Sequence, residues 1–198
     1  MPLERKKLEY AIRQGHFELT PKYHVTHAVM INQVFRDEAM LEEAAGYLMQ
    51  SIPDAGQVTA LVAGAPCGDA LAHFAAAALC RAFPHTAAAK IVSVRDDDIR
   101  SPWEPRLAAG DRCVILHERA LTGKVLARFI AKVNEAGAEV FAIAVLCDRR
   151  VAKERIHDIP TYAAYDLSDL GENIDLESGA DCPSCLKNQP LTTTLRVI

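Results

Sequence analysis

CVILHERALTGKVLARFIAKVNEAGAEVFAIAVLCDR, residues 113–149, decides the fold. Cys113 to Leu116 is a short apolar run that ends in charge, as a buried strand does when it reaches a sheet edge. Apolar residues then recur at helical spacing from about Thr122 to Ala136, and Gly137 stands where a helix stops. Val140 to Leu146 is apolar without interruption, the pattern of a strand covered on both faces. Strand, helix and doubly buried strand in that order are one parallel crossover unit.

The same rhythm extends upstream. Val58 to Val62 reads as a short strand ending in a small-residue turn, followed by an Ala-rich helix over 69–82 and a strand from Ala89 to Val94. Residues 96–111 are polar with two prolines and read as a loop. Further out, Asp37 is placed to cap a helix from Glu38 to about Ser51, with Met40, Leu41, Ala44, Ala45, Leu48 and Ile52 on one face. Residues 3–14 have a rough helical spacing with Gly15 as the C-cap, and Ala28 to Val34 read as a strand. Residues 16–27 hold three histidines without clear periodicity, and Tyr162 to Tyr165 fit an edge strand. The fold class is α/β, with a central, mostly parallel sheet flanked by helices.

Composition narrows the function classes. The chain has 198 residues, half of them hydrophobic, which is ordinary for one globular domain. With 22 basic and 26 acidic residues the net charge is −4, which argues against nucleic acid as the main partner. The longest apolar run, Ala70 to Cys80, which includes His73, is far shorter than the roughly 18 residues of a membrane span. The N-terminal MPLERKKLEY has no apolar signal region, and the six cysteines do not form a dense disulfide framework. A reducing cytoplasm is the expected location.

Two turns fall at C-terminal strand ends, where open parallel sheets bind ligands. The first is AGAPCGD, residues 63–69. Its small residues let backbone approach an anion at the next helix N-terminus, or they simply make a tight turn. The second is HERALTGK, residues 117–124, in which Thr122, Gly123 and Lys124 suit a phosphate monoester. It is not a Walker A loop, because Val125 stands where Ser or Thr is required. A polar turn with a surface lysine is the plainer reading. Glu118 is placed to accept sugar hydroxyls or to hold Mg²⁺ through water.

With these residues in view, 113–149 resembles the phosphoribosyl pyrophosphate (PRPP) motif of the type I phosphoribosyltransferases. GHFELTPKYHVTHAVMINQVFRD (15–37), LVAGAPCGDALAH (61–73) and the tail DCPSCLKNQPL (181–191) are similar to stretches of the orotate phosphoribosyltransferases, in the same order. The resemblance spans roughly residues 10–192. It implies a single domain over 1–198, with a core at about 38–150 and a small hood from about 10–37 and 151–192. It further implies transfer of ribose 5-phosphate from PRPP to a pyrimidine-type base such as orotate, with Mg²⁺, in a homodimer. By the same resemblance Glu118 would hold the ribose. Thr122, Gly123, Lys124 and Val125 would surround the 5-phosphate, with His117 and Leu121 in the same PRPP site and His117 within reach of a ribose hydroxyl. Ala65, Pro66, Cys67 and Gly68 would meet the pyrophosphate, Arg95 or Arg100 the leaving group, and Lys22 and His24 the base.

The departures are specific. Two adjacent acids in the family are His117 and Glu118 here, and the family's Gly-Gly loop retains one Thr-Gly pair. Losing a charged hydrogen-bond partner costs about 1.5–3 kcal/mol, so a weakly catalytic or non-catalytic PRPP- or nucleotide-binding regulator is the alternative. Cys182 and Cys185 have zinc-knuckle spacing, but structural zinc takes four ligands and only one such pair exists. A symmetric dimer could supply two pairs, or His157 a further ligand; a disulfide formed in air is another reading. No resident metal is expected. His24, His27 and His73 read individually as surface or core histidines, Asp96 to Asp98 as a solvated run, and Trp103 as a loop anchor or a base-stacking ring.

Overall fold

The computed structural model describes residues 3–20, 23–65, 67–85, 88–95, 106–150, 156–168 and 182–194. Five strands form one parallel sheet: β3 (Ala60–Ala65), β4 (Lys90–Arg95), β5 (Arg112–Ala120), β6 (Glu139–Asp148) and β7 (Thr161–Asp166), in the order β4-β3-β5-β6-β7. Every neighbouring pair runs parallel, with Leu61 opposite Ile91 and Val114, and Val145 opposite Ala163. β7 is an edge strand, as its mixed composition predicts.

Period-two alternation sorts the side chains between two helical layers. Leu61, Ala63, Val114, Leu116, Ala142, Ala144 and Leu146 pack on one face with residues of α2 (Glu38–Ser51) and α3 (Cys67–Ala82). Val62, Val92, Cys113, Ile115, Ile143 and Val145 pack on the other with Leu126, Phe129, Ile130 and Val133 of α4 (Lys124–Glu135). Helices on both faces of a parallel sheet are why β5 and β6 read as nearly unbroken apolar runs. Asp37 caps α2 as the sequence predicts, its Oδ1 accepting from Met40 N–H at 3.0 Å.

At the N-terminal edge of this sheet a polar knot fixes the strand starts. Asp111 accepts from Lys90 Nζ (2.6 Å), Ala108 N–H (2.6 Å) and Thr59 Oγ1 (3.0 Å). Burial alone would raise the Asp111 carboxyl, but these donors outweigh it and hold the group below its usual range.

A second, smaller sheet orders β2-β1-β8, from β1 (Ile12–Thr20), β2 (Tyr23–Val29) and β8 (Thr193–Thr194). β1 and β2 are antiparallel, while β8 runs parallel to β1 with Phe17 opposite Thr193. Two expectations are corrected here. The helix expected over 3–14 is a 3₁₀ segment over Arg5–Ala11 that leads directly into β1, and Gly15 lies inside that strand. The strand expected over 28–34 is the end of β2 followed by a short helix, α1 (Ile31–Val34). Leu8 and Ala11 are buried against the α2 face of the main core, a contact from outside the segment that local periodicity does not reveal. Among the described residues, the apolar core of the small sheet is Phe17, Val25 and Ala28, with Met30 and Leu121 packed against them.

Candidate functional site

The two predicted turns lie at the C-terminal ends of neighbouring strands. β3 ends at Ala65 and α3 begins at Cys67. Gly68, in the first turn of α3, packs directly on backbone. A Cβ there would come within 3.1 Å of the Leu116 carbonyl oxygen and 3.4 Å of the Ala63 carbonyl carbon. The start of α3 is thereby pressed against both β3 and β5. Asp69, in the same turn, accepts from the Ser93 hydroxyl of β4. Arg95 is the last residue of β4 and pairs with Ala65. Pro66, Arg100 and Lys22 lie outside the described residues, as do Asp96 to Asp98 and Trp103.

β5 runs to Ala120, further than the four-residue strand read from the sequence. Leu121, Thr122 and Gly123 then turn into α4. Gly123 is the N-cap with φ 72°, a left-handed conformation that glycine adopts without the Cβ penalty. Ala127 N–H closes the first helical bond on the Gly123 carbonyl at 2.8 Å. The N–H groups ahead of it, on Lys124, Val125 and Leu126, have no partner within the helix in principle. Thr122 Oγ1 accepts a long 3.4 Å contact from Lys124 N–H, and both side chains are exposed. Val125 packs into the core beneath α4.

His117 and Glu118 have different environments because adjacent strand residues point to opposite faces. His117 is buried on the α4 side, its ring edge-on to Phe129 at 6.1 Å. Its Nδ1 donates to the Arg119 carbonyl at 3.1 Å. Glu118 is mostly buried and accepts from Arg119 Nε at 3.1 Å. An imidazole therefore fills a position under α4, and the remaining carboxylate is engaged by the next residue's guanidinium.

Three arginines that the sequence did not single out lie at these strand ends, and Arg119 and Arg149 are close enough to repel each other. Besides Arg119, Arg149 and Arg150 follow β6 and are both buried. Arg150 grips Asp148 with Nε to Oδ1 at 3.0 Å and Nη2 to Oδ2 at 2.9 Å. Arg149 N–H donates to the Ala120 carbonyl at 2.9 Å, which ties it to the end of β5. Burial, and then the neighbouring Arg119, lower the Arg149 guanidinium to about 10, so it is still a cation at neutral pH. The signal was present in the sequence as CDRR, 147–150, but its link to Arg119 needs the β5–β6 register. Burial pushes the thiols of Cys113 and Cys147 up to about 12, so neither is a nucleophile near neutrality.

His24, expected at the base, is engaged elsewhere. Its Nδ1 lies 3.0 Å from His16 Nε2 and 3.3 Å from Cys185 Sγ. Among the described residues, no helix is long and apolar enough to cross a membrane.

No family model matches the sequence, and no curated protein matches it. Solved structures do match the fold. Orotate phosphoribosyltransferase from Aeropyrum pernix superposes with a TM-score of 0.66 at 21% identity, over 83% of this chain and 95% of that one. UMP synthase from Leishmania donovani gives 0.63 at 18% identity, over 81% of this chain and 34% of that one. Adenine phosphoribosyltransferase from Trypanosoma brucei gives 0.61 at 14% identity, over 100% of this chain and 91% of that one. The chain therefore has the fold of the type I phosphoribosyltransferases.

Proposed function

We propose that the C-terminal strand ends bind a 5-phosphorylated ribose donor, PRPP, and transfer its ribose 5-phosphate to a pyrimidine-type base. The observation that carries this reading is the placement of both glycine turns, 63–68 and 121–124, at the same end of one parallel sheet. The 5-phosphate fits the turn before α4, where Thr122, Lys124 and the first helical N–H groups supply donors. The pyrophosphate fits the turn before α3, with Arg95 at the end of the adjacent strand. The trypanosomal neighbour was solved with AMP, pyrophosphate and ribose 5-phosphate, which supports a ligand of this class on this fold.

In such a reaction the bond from the sugar's anomeric carbon to pyrophosphate breaks as positive charge develops on the ring. The chain's part is to hold the sugar still and to stabilise the departing anion. Glu118 would orient the ribose hydroxyls once Arg119 releases it, and Lys124 and Arg149 would add positive potential. Mg²⁺ would arrive on the pyrophosphate and neutralise part of its charge. Two copies of the chain in a dimer belong to the same proposal.

The second reading is binding without turnover. It is favoured by two contacts: His117 is packed on Phe129, and Glu118 is held by Arg119. With one acceptor missing from the ribose site, affinity falls about 10- to 150-fold. A spectrophotometric assay with PRPP, Mg²⁺ and orotate, uracil or adenine separates the two. Consumption of a base supports transfer and names the acceptor. Saturable PRPP binding with no base consumed supports the regulatory reading. Absence of both removes the assignment of either turn.

A further inference from the structure

Four side chains from opposite ends of the chain meet beneath the small sheet. His16 comes from β1 and His24 from β2. His24 pairs with Glu18, two residues from His16, and the two imidazoles meet with ring centroids 5.0 Å apart. Cys182 is the N-cap of α5 (Pro183–Leu186) and Cys185 lies within its single turn. We propose that His16, His24, Cys182 and Cys185 form a structural zinc site that fastens the C-terminal tail to the N-terminal hairpin.

The distances match one bound cation. Zinc bonds of about 2.3 Å to sulfur and about 2.0–2.1 Å to nitrogen give tetrahedral edges of about 3.5 Å between nitrogen and sulfur and about 3.3 Å between two nitrogens. His16 Nε2 lies 3.5 Å from Cys182 Sγ and 3.6 Å from Cys185 Sγ. His24 Nδ1 lies 3.3 Å from Cys185 Sγ and 3.0 Å from His16 Nε2. The four ligand atoms lie within 4.8 Å of one another.

Hydrogen bonding alone does not account for this packing. His16 Nε2 faces three polar atoms at once, yet one imidazole nitrogen has a single proton or a single lone pair. His16 Nδ1 donates to the Gln189 carbonyl at 2.9 Å, which leaves the lone pair on Nε2, aimed into the cluster. A backbone carbonyl fixing the far nitrogen is the usual support of a ligating histidine. The donor set is two sulfurs and two imidazoles with no carboxylate, which selects zinc over magnesium or calcium. His16 and Cys182 are buried, and the site is filled by four protein ligands, as in structural centres.

The surroundings are built to hold the cluster. Leu186 N–H donates to the Cys182 carbonyl at 2.9 Å, and Asn188 N–H to the Cys185 carbonyl at 2.9 Å, so the knuckle turns on itself. Thr192 Oγ1 accepts from His16 N–H at 3.0 Å, and Thr192 N–H donates to the His16 carbonyl at 2.6 Å. A Cβ on Gly15 would lie 2.6 Å from that Thr192 oxygen. Among the described residues the buried apolar core here is small, Phe17, Val25 and Ala28, the situation in which small units use a metal. Leu121, at the turn before α4, packs on this same small core, so the site would also steady that turn. The second half of the ligand set comes from this chain's own hairpin, not from a partner or from His157. The inference is independent of any transferase activity.

The test uses the full chain, purified without chelator, and elemental analysis of zinc. About one zinc ion per chain is expected, falling to below about a tenth in the Cys182→Ser/Cys185→Ser double variant. Cobalt exchanged into the wild-type chain should give the intense visible bands of a tetrahedral thiolate site. Cys185→His keeps a fourth ligand and should retain zinc, which separates lost coordination from misfolding. Three results overturn the proposal: no zinc on purification and none taken up when reduced protein is titrated with Zn²⁺; full zinc content in the double variant; or a Cys182–Cys185 disulfide whose reduction does not restore zinc binding.

Discussion

Asp148→Ala tests whether the end of β6 is held by a buried ion pair. Asp148 and Arg150 are 4% and 9% exposed. The carboxylate accepts from the Arg150 backbone N–H at 3.0 Å, from Nε at 3.0 Å and from Nη2 at 2.9 Å. Removing it leaves a guanidinium in a poorly hydrated place, at a cost of about 3–5 kcal/mol. For a chain of this length each kcal/mol moves Tm by about 2–4 °C, so a fall of about 6–20 °C is expected. Circular dichroism melts and urea titrations would measure it. The companion is Asp148→Leu/Arg150→Met, which removes both charges and should recover most of the loss. A fall below about 1 kcal/mol for Asp148→Ala, or a double variant no more stable than the single, would refute the reasoning. Asp148 pairs with Ala120 across the β5–β6 register, so the loss should also loosen Arg149 beside the candidate phosphate site.

Other substitutions probe single links. Gly123→Ala forces a β-carbon into a φ of 72° and should cost about 1–2 kcal/mol in chemical denaturation, while Gly123→Asn should cost less. Asp37→Ala removes the α2 cap and should cost about 0.5–2 kcal/mol, read as a lower urea midpoint with an unchanged slope. Asp111 is held below its usual range, so the unfolded chain takes up its proton first as pH falls. Its contribution is full above about pH 4 and drains below that, and Asp111→Asn should flatten the acid limb of a stability–pH curve. Lys124→Ala removes one exposed cation at the turn before α4 and should weaken PRPP binding about tenfold by titration calorimetry, with melting unchanged.

The main sheet was legible because its signals are local. VFAIAVL is apolar at every position since β6 is covered by helices on both faces, and α2 carries its own cap and its own apolar stripe. The N-terminal segment misled for the opposite reason. Leu8 and Ala11 are buried by residues far along the chain, and Gly15 makes room for Thr192, not for a helix end. The candidate phosphate turns were visible as small residues after apolar strands. The arginines at the strand ends were not, because Arg119 and Arg149 become neighbours only through the β5–β6 pairing. The Cys182–Cys185 pair was visible as half of a metal site. Its histidines lie more than 150 residues away on a hairpin whose face alternation was obscured by bulges between Gln14 and Phe17 and between Glu18 and Thr20.

Whether the strand ends hold a ribose phosphate is tested most directly by calorimetric titration of the wild-type chain with PRPP and Mg²⁺, with Thr122→Ala/Lys124→Ala alongside. Saturable binding of one PRPP per chain that weakens at least about tenfold in the double variant is the predicted result. Binding of equal strength in both proteins, or none in the wild type, would contradict the placement of the 5-phosphate at residues 121–125.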